Sequence, residues 1–280
     1  MDIKKAMINA QSILEKSSIK FSKLDIEILM SKAIIKDRKY IILNQHKTIS
    51  KKKFNYFNAL VMDRAKGKPI AKIIKKKEFW KYEFKILDDV LIPRPDTEII
   101  IEQALKISQH KSKLNLLDIG VGSGCIILSL LKEREDFFGT GIDISNKSIT
   151  NTRINAELLG VKKRLRLINS DVDNFNLGKY DIVLSNPPYI SKYEINSLEK
   201  DILKYEPRVA LDGGLDGISE IRKVIDKTSK LIKKNGKFIL EIAYNQKNKV
   251  IDLLKNKGFY INKTIKDYAK NDRCVISTKI

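Results

Sequence analysis

From Met1 to about Gly67 the apolar residues recur at helical spacing. Ala6, Ala10, Ile13 and Leu14 form one stripe, Ile28, Leu29 and Ile35 a second, and Phe54, Phe57, Leu60 and Val61 a third. Ser22 and Ser50 stand where N-caps are expected, and Gly67 with Pro69 closes the last stripe. The pattern predicts a small helical domain over residues 1–75. Between Glu78 and Ile92 the period shortens to two, approximated by Phe79, Tyr82, Phe84 and Ile86. Asp88 and Asp89 are expected to turn the chain into Val90, Leu91 and Ile92, giving a β-hairpin over 76–94 that links two domains. From Pro95 onward, apolar runs alternate with amphipathic stretches. Strands are expected at Leu114–Asp118, Phe138–Asp143, Leu165–Asn169, Asp181–Ser185 and Lys237–Ile242, with a closing pair near Phe259–Ile265 and Cys274–Lys279. Such alternation predicts an α/β domain over 95–280, a mostly parallel sheet with helices on both faces.

Composition narrows the classes without naming one. The chain has 280 residues, enough for about two domains. Although 42% of it is hydrophobic, it has no apolar run of the roughly 20 residues that a membrane-crossing helix needs. Met1 to Ala10 carries Lys4 and Lys5 beside Asp2 and Asn9, and no apolar run with a cleavage site follows, so a cytoplasmic location is expected. Two cysteines, Cys125 and Cys274, and two histidines, His46 and His110, argue against a disulfide framework, a metal cage or a histidine triad. The net charge of +21 would draw polyanions such as RNA or a ribosome-bound complex. Lys and Ile are heavily used throughout, however, and runs such as Lys51-Lys52-Lys53 and Lys75-Lys76-Lys77 read equally well as solvated surface.

Candidate chemistry begins at Asp118. The segment Leu116 to Gly124 is a buried strand running into a glycine loop, with a helix expected from about Cys125. Gly120, Gly122 and Gly124 let the backbone turn tightly and let a ligand approach the main chain. The spacing is G-x-G-x-G with Cys125 where a dinucleotide fold has its third glycine, and no G-K-[ST] follows, so neither NAD binding nor a P-loop fits. Asp143 ends the next strand, where a carboxylate accepts from both ribose hydroxyls, and Asp171 follows the third, where it could meet an adenine edge. Each acid alone reads as a strand-end or helix cap. Their succession along strand ends favours an adenosine ligand, because open α/β sheets bind ligands there.

Asn186-Pro187-Pro188-Tyr189 follows the strand that ends at Ser185. The prolines fix φ and remove donors, so the chain leaves the sheet as a rigid loop. The Asn186 side-chain oxygen and the Pro187 carbonyl can each accept one N–H of a planar NH2 group, with Tyr189 stacked on its plane. A proline-stiffened strand exit with a packed tyrosine is the plainer alternative.

The glycine loop and Asn186 to Tyr189 together resemble the class I methyltransferases that act on exocyclic or amide nitrogen. Gly67-Lys68-Pro69-Ile70-Ala71, Glu78-Phe79-Trp80, Ile92-Pro93-Arg94-Pro95-Asp96-Thr97-Glu98 and Tyr205-Glu206-Pro207-Arg208-Val209-Ala210-Leu211 narrow the resemblance to the HemK/PrmC family. Its members methylate N5 of the glutamine in the GGQ motif of class 1 peptide chain release factors. The resemblance implies S-adenosyl-L-methionine as cofactor, with Gly120, Gly122 and Gly124 facing its methionine part and Asp143 its ribose; Asp118, Asp171 and Asn186 are further candidates on the cofactor side. It implies that Asn186 with Pro187 meets the acceptor glutamine; these two with Tyr189 are the candidate catalytic residues, and Pro188 completes the candidate acceptor site. Ala243, in Glu241-Ile242-Ala243-Tyr244-Asn245-Gln246, stands where the family usually has glycine. Pro95 with Asp96, Thr97 and Glu98 also reads as a plain helix start. The competing readings are a nucleic-acid amino-group methyltransferase, a ribosomal-protein glutamine methyltransferase, and a cofactor-binding scaffold without chemistry.

Overall fold

Asp2, Asp37 and Ser50 each accept a backbone N–H three residues ahead, from Lys5, Tyr40 and Lys53, and so satisfy donors that a helix start leaves open. The computed structural model describes residues 1–20 and 22–280. Among them the N-terminal stripes form α1 (Ile3–Lys16), α2 (Ser22–Ile34), α3 (Arg38–Leu43), α4 (Lys51–Ala65) and α5 (Ile70–Ile74). Ser22 is the first residue inside α2 rather than the cap before it. Leu14, Leu29, Met30, Ile41, Phe57 and Val61 meet in one core. Two acids of α2 are also buried, and each has a cation: Arg64 Nε lies 2.7 Å from Asp25 and Arg38 Nε 2.5 Å from Glu27.

The chain forms two compact units, 1–76 with 200–205, and 77–199 with 206–280. The stretch 200–205 therefore joins the helical unit although it lies within the span read as the second domain. There the Tyr205 hydroxyl donates to the Lys66 carbonyl at 3.3 Å.

β1 (Lys76–Phe79) and β2 (Tyr82–Lys85) make a two-stranded sheet, so the hairpin turns at Trp80-Lys81 and not at Asp88-Asp89. Trp80 takes the left-handed φ of 58° that tight hairpin turns require. Its backbone N–H donates to Glu98 Oε1 at 2.7 Å. Val90 to Ile92 run as irregular chain.

A 3-10 turn, Pro95–Thr97, leads into α6 (Glu98–Ile107). There follow β3 (Asn115–Ile119), α7 (Cys125–Glu133), β4 (Phe138–Asp143), α8 (Asn146–Leu158), β5 (Leu165–Asn169) and β6 (Tyr180–Ser185). Two short helices, α9 (Lys192–Ile195) and α10 (Lys200–Tyr205), precede α11 (Ser219–Leu231), β7 (Ile232–Glu241), α12 (Lys247–Asn256), β8 (Phe259–Lys266) and β9 (Asp272–Lys279). The seven-stranded sheet has the order β5-β4-β3-β6-β7-β9-β8; β9 alone runs against its neighbours, and the other pairings are parallel. Leu117, Val183, Phe238, Leu240 and Val275 are buried within it, as expected of strands covered on both faces. Strand order reverses between β3 and β6, which opens a crevice at their carboxyl ends.

Candidate active site

At that crevice lies a cavity of about 500 Å³. Its wall takes residues from four successive strand ends: Gly120 and Gly122 after β3, Asp143 at the end of β4, Ser170 and Asp171 after β5, and Asn186, Pro187 and Pro188 after β6. The sheet order brings together residues that are far apart in the chain, from Gly120 to Pro188.

Gly120, Gly122 and Gly124 all have positive φ, at 80°, 56° and 83°. A Cβ on Gly120 would meet nothing within 4 Å, so the loop presents bare backbone there. Gly124 differs. A Cβ on it would come within 2.7 Å of Leu128 Cδ1 and Thr152 Cγ2, so this glycine is needed to seat α7 against α8 and lies behind the cavity wall. Thr152 also donates to the Gly122 carbonyl at 3.0 Å, and Asn155 Nδ2 to the Ser123 carbonyl at 2.8 Å. α8 thus holds the loop from beneath through polar side chains that belong to no motif in the sequence. Their signal is polar residues on the buried face of a helix.

Asp143 accepts from Gly122 N at 2.9 Å through Oδ2 and from Ser145 N at 2.8 Å through Oδ1. Burial pushes its pKa up against those donors. Both oxygens keep further lone pairs for a diol. Asp171 serves in two ways: Oδ1 accepts from Asp173 N at 2.8 Å as the cap of a short 3-10 turn, and the residue also lines the cavity.

Asp118 departs from its expected place. It is 0% exposed and absent from the cavity wall. Neither oxygen completes a hydrogen bond; the Ile127 N–H is the donor that acts on it most. Burial, reinforced by the charge of Asp143, pushes its pKa up to about 7.

On the other side of the crevice, Asn186 Nδ2 donates to Thr97 Oγ1 at 3.0 Å. No donor among the described residues reaches Asn186 Oδ1, and the residue borders the cavity. Tyr189 stands behind the wall, because its hydroxyl donates to Glu241 Oε1 at 3.3 Å and its ring packs on the sheet core. Burial, then the Glu241 charge, raises the phenol's pKa. Gln246 Nε2 donates to the Tyr189 carbonyl at 2.8 Å, and Gln246 Oε1 accepts from Ala243 N at 3.0 Å. Ala243 keeps a negative φ, so a side chain is accommodated where the family usually has glycine.

The rim is tied as well. Arg94 donates to Glu206 Oε1 at 3.0 Å, while Glu206 Oε2 accepts from Ile92 N at 3.2 Å. This joins the Ile92 to Glu98 segment to the one whose Pro207, Arg208, Val209 and Ala210 line the cavity. Thr97 and Glu241 were legible in the sequence as parts of motifs, not as partners of Asn186 and Tyr189.

The residues present suit an adenosyl-methionine compound. Open glycine backbone faces the cavity, a carboxylate with spare lone pairs stands at one strand end, and an unpaired amide oxygen faces it across the crevice. No helix among the described residues is long and apolar enough to cross a membrane, and no cluster of His, Cys, Asp and Glu among them could hold a metal ion.

Comparison with known proteins matches residues 110–277 to a family described as a methyltransferase domain and residues 5–74 to the PrmC N-terminal domain. The chain is 36% identical over 282 residues to a release factor glutamine methyltransferase of Clostridium acetobutylicum, covering 100% of this chain and 99% of that one. It is 34% identical over 276 residues to one of Caulobacter vibrioides, covering 98% and 96%. Among solved structures, a methyltransferase from Pyrococcus furiosus aligns with a TM-score of 0.53 at 19% identity, over 70% of this chain and 88% of that one. A ribosomal protein L11 methylase from Lactobacillus delbrueckii subsp. bulgaricus aligns with a TM-score of 0.51 at 17% identity, over 73% and 90%. At such identities the structural likeness bears on the fold alone.

Proposed function

The chain belongs to the release factor glutamine methyltransferase family, and from that premise we propose that it transfers a methyl group from S-adenosyl-L-methionine to the side-chain amide nitrogen of a glutamine. The acceptor is the GGQ glutamine of a class 1 peptide chain release factor, met in the cytoplasm, and the helical unit of residues 1–75 grips that partner. The observation that carries the reading is the Asn186 amide. Its nitrogen is committed to Thr97, which leaves its oxygen as an acceptor at the cavity.

The sulfonium donor supplies an already activated methyl group. The protein's task is then alignment, which in favourable cases lowers a barrier by about 7–11 kcal/mol. Gly120 and Gly122 take the methionine part against bare backbone, and Asp143 takes the ribose hydroxyls. Asp171 borders the adenine, with the Val172 backbone beside it. Asn186 Oδ1 and the Pro187 carbonyl each accept one N–H of the substrate amide. Those two bonds push electron density back onto a nitrogen whose lone pair is otherwise delocalised, and they fix its orientation. Pro188 and Tyr189 keep the loop stiff. Asp118 and Gly124 support the cofactor side from behind.

The test is mass spectrometry of a purified release factor after incubation with the donor, with RNA and DNA in parallel arms. One added methyl on glutamine is expected, and methylation confined to a nucleic acid would overturn the proposal. Asn186→Ala should abolish transfer while donor affinity by calorimetry changes less than about threefold, since one lost hydrogen bond to the acceptor is a transition-state loss.

A further inference from the structure

Glu241, the last residue of β7, is 1% exposed. It touches the acceptor loop from two sides. The Tyr189 hydroxyl donates to its Oε1 at 3.3 Å. The Thr97 hydroxyl faces the same carboxyl and lowers its pKa. Oε2 completes no hydrogen bond, so the Thr97 contact is poised rather than closed. Thr97 is itself 2% exposed, and its oxygen already accepts from Asn186 Nδ2.

Direction along this chain follows from what each group can do. An ionised carboxylate accepts and never donates. With Glu241 ionised, the Thr97 proton turns toward that carboxyl without closing a hydrogen bond to Oε2, and the Thr97 oxygen is left to accept from Asn186. The Asn186 amide must then present its N–H inward and its oxygen to the cavity. A protonated Glu241 would donate instead. The Thr97 proton would turn to Asn186, and the amide would present its NH2 to the cavity. We propose that Glu241, acting through Thr97, is a positioning residue that sets the polarity of the Asn186 amide and thereby selects an acceptor that offers N–H groups over one that offers oxygen. The inference rests on the glutamine reading above.

The surroundings bear on which state prevails. Burial pushes the Glu241 pKa up to about 7; the Arg273 guanidinium on β9 lowers it, and Asp96 of the turn before α6 raises it. Arg273 is held by Asp267 at 2.9 Å, with Asp96 at 3.7 Å. The buried thiols of Cys125, on α7, and Cys274, on β9, both feel the Glu241 charge, though burial is the larger cause of their raised pKa values. The ionised form is the competent one, so turnover should rise with pH through about 7.

The test uses the full chain, with Thr97→Val, Thr97→Ser and Glu241→Gln, on a purified release factor and on its glutamine-to-glutamate variant. Thr97→Val keeps the shape and removes the relay. It should lower kcat about tenfold, the scale of one hydrogen bond lost from the transition state, with donor affinity unchanged. It should also narrow the binding preference for glutamine over glutamate. Thr97→Ser should restore most of both, and Glu241→Gln should flatten the rise of kcat with pH. In the substrate-free protein, one Asn186 side-chain amide proton should exchange slowly with solvent, and Thr97→Val should abolish that protection. Wild-type turnover, preference and exchange in Thr97→Val would overturn the proposal. If the wild-type protein left release factor unmethylated, the functional reading would fail instead, and the exchange measurement would still decide the relay.

Discussion

Asp118 lies near the end of the strand that opens the crevice, yet among the described residues it has no paired cation and neither of its oxygens completes a hydrogen bond. Burial raises its pKa from 3.8 to about 7, so between those values the folded chain keeps a proton that the unfolded chain releases. That stabilising difference is complete below the unfolded value and is lost as pH rises through the folded one. Glu241, raised from 4.5 to about 7, works in the same direction. Asp118→Asn keeps the shape of the neutral acid and removes its ionisation. Its melting temperature without donor should match the wild type near pH 4 and exceed it at pH 8, by on the order of a few degrees. A loss at pH 8 would mean that Asp118 is ionised and bonded in the folded chain. In the sequence Asp118 counts among the cofactor-side candidates, at the head of the glycine loop. Its burial beneath that loop is a tertiary fact that spacing does not carry. Gly124 is the same case, since its need for bare backbone comes from Leu128 and Thr152.

At the scale of elements, β4 and β5 run as expected from their apolar runs, and the remaining sheet strands differ mainly at their ends. Runs buried on both faces are strong signals because burial leaves them little other use, although β5, at the sheet edge, is only half-buried. The hairpin was less legible. Its turn falls on Trp80, a residue with no turn preference, held there by contacts 18 and 53 positions away. Glu133, at the end of α7, accepts from Trp80 Nε1 at 3.0 Å, Tyr82 Oη at 2.8 Å and Lys81 Nζ at 2.9 Å. Burial opposes its charge, but the three donors hold the carboxyl below its ordinary value. Burial and the Glu133 bond also push the Tyr82 phenol up to about 12. One carboxylate therefore pins three successive residues of the turn. Glu133→Gln has a single acceptor oxygen, so at least one donor loses its partner, at a cost of about 1–2 kcal/mol to local docking. Trp80 is the sole tryptophan in the sequence, and its fluorescence reports that docking directly. Iodide should quench the variant more than the wild type while global melting shifts little; unchanged quenching would mean that packing alone seats the hairpin. The short helices α3 and α5 and the allegiance of α10 were also beyond the sequence, for segments of five or six residues show too little period.

For the whole molecule the open quantity is a charge of +21 spread over two units. Part of it is locally spent: Arg64 on Asp25, Arg94 on Glu206 and Arg273 on Asp267 are structural pairs. Most lysines are exposed, as at Lys51, Lys52 and Lys53 before the first turn of α4 is complete. A field of one sign speeds encounter with an opposite charge, and that benefit shrinks as the Debye length falls from about 10 Å at 0.1 M salt to about 3 Å at 1 M. It acts on approach and leaves the aligned complex alone, because the acceptor loop is fixed by short contacts that salt scarcely screens. If the lysine surplus guides an acidic partner, kcat/KM for the release factor should fall severalfold as salt rises across that range, with kcat itself nearly constant. Equal kcat/KM at low and high salt would make the surplus ordinary solvated surface. A fall in kcat as well would place the salt-sensitive charges inside the site, on the Arg94, Glu206, Glu241 and Arg273 framework.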